Sequence, residues 1–158
     1  MPIPQCVLWS KIAAFHTWNP VPNVLVVDDE PALRRLLCRV IEREGLSAAA
    51  AACAEDALRI SSDAPPQVAF CDVELGPGRP NGFWLASELN RLFPATVVVM
   101  ITSKDQVDAV VTGVRAGSRV YLIKPVSPDD LRKALKAGLE EHAIRVRDGV
   151  STRTAPLP

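Results

Sequence analysis

Short runs of apolar, largely β-branched residues alternate along this chain with segments whose apolar residues recur at helical spacing. That alternation restricts the fold more than any other feature of the sequence. Val24-Leu25-Val26-Val27, Val68-Ala69-Phe70-Cys71, Thr96 to Ile101 and Val120-Tyr121-Leu122-Ile123 are apolar throughout or nearly so. Such runs suit strands covered on both faces. Between them, Leu33, Leu36, Leu37, Val40 and Ile41 follow Pro31 at helical spacing, with arginines interspersed and Gly45 as the stop. Glu55 to Ile60 reads as a second helix, ended by Ser61-Ser62-Asp63-Ala64-Pro65-Pro66. A third is expected from about Phe83 to Leu92. A fourth is expected from about Asp105 to Arg115, with Val107, Val110, Val111 and Val114 on one stripe. Ser127-Pro128-Asp129-Asp130 opens a fifth: an N-cap serine, a first-turn proline and acids at the positive dipole end. Leu131, Leu135 and Leu139 supply its apolar stripe. The stretch Leu46 to Ala52 is ambiguous, because five consecutive alanines favour helix over strand. Only its place in the alternation makes it a second strand.

Five strands alternating with five helices imply βαβ units and an α/β fold, a doubly wound parallel sheet with helices on both faces. The 158 residues suffice for one such domain. Its expected extent is 23–145. Residues 1–22 hold four of the fourteen prolines and two of the three tryptophans but only one formal charge, Lys11. They read as an N-terminal extension, either loosely ordered or docking through Trp9, Phe15 and Trp18. Residues 146–158 read as a frayed C-terminal tail, too short for a helix-turn-helix reader or any other output domain.

Charge and composition narrow the function. Eighteen basic and eighteen acidic side chains cancel, so the surplus expected of a nucleic-acid binder is missing. No apolar run approaches the roughly 20 residues that cross a bilayer, and the start lacks a signal-peptide pattern. The expected location is the cytoplasm, with no nucleic-acid or membrane partner. Cys6, Cys38, Cys53 and Cys71 form no C-x-x-C pair, and His16 and His142 stand alone. A zinc site or a histidine-based nucleophilic machine is therefore not expected.

Ligands of open parallel sheets bind at the C-terminal strand ends. There the first strand delivers Asp28 and Asp29, the third Asp72, the fourth Thr102 and Ser103, and the fifth Lys124. Each has a plainer alternative alone: acids at a helix start, a turn aspartate, N-cap hydroxyls, a solvated lysine. Together they form a site. Three close carboxylates need a counter-charge, which a hard cation such as Mg²⁺ supplies while keeping positions for water or phosphate. A lysine and a hydroxyl can bind the same anion. The set suits phosphoryl transfer, with a carboxylate as the acceptor.

The motifs Val26-Val27-Asp28-Asp29-Glu30-Pro31, Phe70-Cys71-Asp72-Val73-Glu74-Leu75, Ile101-Thr102-Ser103 and Ala116 to Pro125 resemble the receiver domain of bacterial two-component response regulators. The resemblance spans about Val24 to Glu141. It implies a flavodoxin-like (βα)5 sandwich with strand order 2-1-3-4-5. It implies Asp72 as phosphoacceptor, with Asp28, Asp29, Asp72 and the Glu74 backbone carbonyl holding Mg²⁺ or Mn²⁺. Lys124 would pair with a phosphoryl oxygen, Thr102 would be the switch hydroxyl and Tyr121 the aromatic that follows it. The Lys124–Pro125 peptide would be cis. Glu74 and Ser103 would modulate the site.

The implied partners are a sensor histidine kinase or a histidine phosphotransfer protein, then a downstream protein target. The surface of the fourth helix, fifth strand and fifth helix (α4-β5-α5 in the expected order) would serve that target or a homodimer. Catalysis would be limited to the chain's own phosphorylation and dephosphorylation. Three departures from the family pattern stand out: a longer loop with Gly76 in place of a common proline, the extra acid Glu74, and Val126 where a bulkier aromatic is frequent. Two rivals remain at this stage. One is a degenerate receiver that binds partners without phosphorylation. The other is an aspartate-nucleophile phosphatase of the haloacid dehalogenase type, disfavoured because the paired acids come first and Asp72 later.

Overall fold

A computed structural model of the chain describes residues 24–108 and 120–154. Five parallel strands form one sheet in the order β2-β1-β3-β4-β5. They are β1 (Val24–Val27), β2 (Ala48–Ala51), β3 (Val68–Asp72), β4 (Val97–Thr102) and β5 (Val120–Ile123). Four described α-helices are α1 (Pro31–Arg43), α2 (Ala54–Asp63), α3 (Gly82–Leu92) and α4 (Pro128–Arg147). The α4 helix is the fifth helix of the sequence reading. The expected fourth helix begins in a 3₁₀ turn at Lys104–Gln106, and its stripe residues Val110, Val111 and Val114 lie outside the described residues. So do residues 1–22 and the segment Ala116 to Arg119.

The central strands β1, β3 and β4 are buried along their whole length, which explains their unbroken apolar composition. Alternate side chains feed two cores. Val24, Val26, Val68, Phe70, Val99 and Ile101 pack with Leu37, Val40, Ile41, Leu131 and Leu135 of α1 and α4. Leu25, Val27, Ala69, Cys71, Val98 and Met100 pack with Ala54, Ala57, Leu85 and Leu89 of α2 and α3. The alanine run is strand at the sheet edge, with Ala48 opposite Val24 and Ala51 opposite Val27. Pairing with a fully buried strand overrides its helix propensity.

Two boundaries differ from the sequence reading. Helix α2 continues through Ser61 and Ser62 to Asp63. The Ser61 and Ser62 hydroxyls donate to the carbonyls of Ala57 and Leu58 at 2.8 Å each, so the serines stay inside the helix. Beyond Arg147 the described tail does not fray. Ala95 N donates to Ser151 O at 3.2 Å and Thr154 N to Leu92 O at 3.0 Å. The Thr154 hydroxyl donates to Arg91 O at 2.8 Å, and the Arg153 guanidinium lies 5.9 Å from the Phe93 ring centre. The Thr154 bonds cap the carbonyls of Arg91 and Leu92 at the end of α3. Among the described residues no helix is long and apolar enough to cross a membrane.

Candidate functional site: three carboxylates and a lysine at the strand ends

The C-terminal edge of the sheet gathers the expected groups. Asp28 follows β1 directly and is fully buried. Its Oδ1 accepts from Glu30 N at 2.8 Å, and its backbone carbonyl accepts from Arg34 Nη1 at 2.6 Å. The first turn of α1 thus fixes the position of the carboxylate. Asp72 ends β3 and is 5% exposed. Asp29 is exposed beside them. Carboxylate oxygens of Asp28, Asp29 and Asp72 lie within 4.8 Å of one another. Lys124 leaves β5 and points its Nζ into this cluster, 2.9 Å from Asp72 Oδ2 and 3.5 Å from Asp28 Oδ2. The Lys124–Pro125 peptide is cis.

The cluster is electrostatically incomplete. Asp28 Oδ2 is buried and makes no well-formed hydrogen bond; the Lys124 ammonium, at 3.5 Å, is its counter-charge. Burial pushes the Asp72 carboxyl above the usual carboxylate range, and the Asp28 charge adds to this, against the lowering pull of Lys124. Burial pulls the Lys124 ammonium down, but the hydrogen bond and charge of Asp72 and the charge of Asp28 outweigh it and hold the group up. One ion pair therefore favours the charged lysine while its carboxylate stays strained. A buried carboxylate oxygen lacking a donor, beside two further acids, is the donor set a hard divalent cation requires. The residues fit Mg²⁺ or Mn²⁺.

The rim holds the remaining groups. Thr102 is fully buried at the end of β4, and its hydroxyl donates to Ser103 O at 3.2 Å, not to Asp72. Ser103 precedes the 3₁₀ turn, and its hydroxyl holds the exposed Asp105 carboxyl below the usual range. Glu74 N lies 3.4 Å from Asp72 Oδ1, a long contact, and the Glu74 carboxyl points outward. Tyr121, midway along β5, is 39% exposed. Cys71, next to Asp72, is buried; desolvation and then the Asp72 charge push its thiol up to about 12. It is inert as a nucleophile at neutral pH.

Two residues of this site carried no clear signal in the sequence. Gly82 was legible only as part of a glycine- and proline-rich loop. A Cβ at this position would stand 2.0 Å from Asp72 O, and Gly82 N donates to Val73 O at 2.8 Å. The first residue of α3 is thus pressed against the backbone of Asp72. Asn81 caps that helix, accepting from Trp84 N at 3.0 Å. Gln106 is the other: its Nε2 donates to Glu74 Oε1 at 2.5 Å across 32 residues of sequence. Spacing along the chain gives no hint of that bond.

Comparison with known proteins agrees with this geometry. Residues 24–136 match the family described as the response regulator receiver domain. The alginate biosynthesis transcriptional regulatory protein AlgB of Pseudomonas syringae is 35% identical over 125 residues, which are 79% of this chain and 28% of that protein. The nitrogen assimilation regulatory protein NtrX of Azorhizobium caulinodans is 31% identical over 123 residues, 78% of this chain and 27% of that protein. The chain thus spans just over a quarter of the length of the curated relatives it matches. Among solved structures, the receiver domain of NtrX from Brucella abortus superposes with a TM-score of 0.71 at 32% identity, covering 74% of this chain and 98% of that one. A CheY-like receiver domain protein from Methanospirillum hungatei gives 0.71 at 28% identity, covering 77% and 96%. By fold, by the arrangement of its acids and by sequence, the chain belongs to the response regulator receiver domain family.

Proposed function

We propose that this receiver domain accepts a phosphoryl group on Asp72 from a phosphohistidine of a sensor histidine kinase or phosphotransfer protein. The observation that carries the reading is the pairing of a strained acceptor with its counter-charge: Asp72 Oδ2 lies 2.9 Å from Lys124 Nζ, inside a three-carboxylate cluster. A divalent cation held by Asp28, Asp29 and Asp72 would neutralise the carboxylates and the incoming phosphoryl oxygens. The residues do the rest. An Asp72 oxygen attacks phosphorus in line; the bond to the donor nitrogen breaks, and the histidine leaves neutral after taking a proton. Lys124 shifts from the carboxylate towards a phosphoryl oxygen. The new dianion then competes with Ser103 O for the Thr102 hydroxyl.

The surroundings support a protein donor. A groove of about 560 Å³ lined by Glu30, Ala32, Leu33, Leu36, Pro125 and Val126 opens beside Lys124, and Leu36 is 49% exposed. It offers an apolar seat next to the acceptor for a helix that carries the phosphohistidine. On the output side, Tyr121 and Ile123 project from β5. In this reading they form part of the face for a downstream protein or a second copy.

Intact mass after incubation with acetyl phosphate and Mg²⁺ tests the proposal. Wild type gains one phosphoryl group, EDTA prevents it, and Asp72→Asn stays unmodified. An adduct that survives in Asp72→Asn would refute it, as would a folded wild type that takes neither a phosphoryl group nor beryllofluoride.

A further inference from the structure

We propose that Gln106 is a positioning residue, whose side-chain amide ties the Glu74 carboxyl across the mouth of the site and holds the segment after Thr102 in its resting packing. The inference rests on the receiver reading above and adds a regulatory element to it. The backbone bonds locate where the site can move. Val73 N donates to Ile101 O at 3.0 Å, and Lys124 N donates to Thr102 O at 2.8 Å. Strand β4 is therefore held through Ile101 on the β3 side and through Thr102 on the β5 side. The first link free of the sheet is Ser103, whose carbonyl accepts from the Thr102 hydroxyl at 3.2 Å and from Gln106 N at 3.1 Å. These bonds fold residues 103–106 into a compact turn on which the Thr102 hydroxyl is parked.

Among the described residues, a side-chain bond joins that turn to the loop after Asp72: Gln106 Nε2 donates to Glu74 Oε1 at 2.5 Å. Glu74 in turn lies two residues beyond Asp72, with its N–H facing Asp72 Oδ1. The acceptor loop and the switch turn thus share one tether, outside the cation cluster and at the solvent edge. When the Thr102 hydroxyl turns to a phosphoryl group on Asp72, it gives up Ser103 O. The turn built on that carbonyl repacks and Gln106 leaves Glu74. The tether stabilises only the resting arrangement, so it biases the equilibrium against the phosphorylated packing.

The test is a double-mutant cycle on beryllofluoride affinity in the presence of Mg²⁺. Gln106→Leu tightens binding about threefold to tenfold, the worth of one solvent-edge hydrogen bond to a carboxylate. In a Glu74→Ala background the same substitution changes nothing, because the tether is already absent. Equal affinity in Gln106→Leu and wild type, or the same change in both backgrounds, overturns the proposal. A folded wild type that binds no beryllofluoride and accepts no phosphoryl group removes the receiver reading and the tether with it. NMR provides a measurement on the unmutated chain. The Gln106 side-chain amide protons are expected to be protected from exchange in the free protein and to lose protection with beryllofluoride. Protection unchanged by beryllofluoride contradicts the tether's release.

Discussion

The two edges of this sheet treat polar groups in opposite ways. At the N-terminal edge of β4, partners meet the groups the turn leaves over. The Thr96 hydroxyl donates to Pro66 O at 2.7 Å. Arg145 reaches Thr96 O at 2.9 Å and Pro94 O at 3.3 Å, and pairs with Glu141 at 3.0 Å. His142 Nδ1 lies 2.7 Å from Ala95 O, and residues 151–154 bond to the same corner. At the C-terminal edge, 0% exposed Asp28 keeps an oxygen without a donor, and Asp72 is held at a raised pKa. One edge is built for stability. The other gathers three carboxylates around one lysine, more negative charge than that lysine balances.

That contrast can be broken most severely at Gly82, which supports the active edge through its backbone. Gly82→Ala sets a methyl against Asp72 O, and backbone cannot yield as a side chain does. A loss of about 3 kcal/mol or more is expected in urea unfolding, with phosphorylation lost. A stability near wild type would show that the close approach is not needed. Arg145→Ala attacks the other edge. It strips two backbone carbonyls of their donor and should lower stability by about 1–2 kcal/mol, with Mg²⁺ affinity unchanged. A parallel loss of Mg²⁺ affinity would mean that the edges are not independent.

Asp72→Asn sharpens the contrast in the opposite direction with a smaller effect. The folded-state pKa of Asp72 is raised, so ionising it opposes folding. That penalty is absent below the unfolded carboxylate value, near pH 4, grows as pH rises above it, and is complete once pH has passed the raised folded value. Metal-free Asp72→Asn should therefore melt higher than wild type at pH 7, and the advantage should vanish as pH falls towards 4. A variant less stable at pH 7 would show that the Lys124 pair outweighs burial. The smallest effect is chemical. With its thiol pushed up to about 12, Cys71 should resist iodoacetamide at pH 8 until the chain unfolds. Rapid labelling of the native protein would place water beside β3.

Much of this was legible in the sequence, for local reasons. Each buried strand carries its own apolar run. Ser127 announces the start of α4, and its hydroxyl accepts from Asp130 N at 3.1 Å. The site was legible because its groups all sit at strand ends, where a parallel sheet must bring them together. What the sequence hid depends on tertiary packing. The alanines of β2 become strand only beside β1. Ser61 and Ser62 look like a stop, but their hydroxyls turn back onto the helix. Gly82 reads as a loop glycine until the Asp72 backbone is placed against it. The Gln106–Glu74 bond and the docking of Ser151 and Thr154 join residues far apart in the chain.

The carboxylate edge holds more negative charge than Lys124 balances, which leaves room for a cation. Unfolding free energy measured against Mg²⁺ concentration tests it most directly. Wild-type stability should rise with Mg²⁺, and Asp28→Asn and Asp72→Asn should each flatten that rise. A wild type whose stability ignores Mg²⁺, or an equal rise in all three proteins, would contradict the claim.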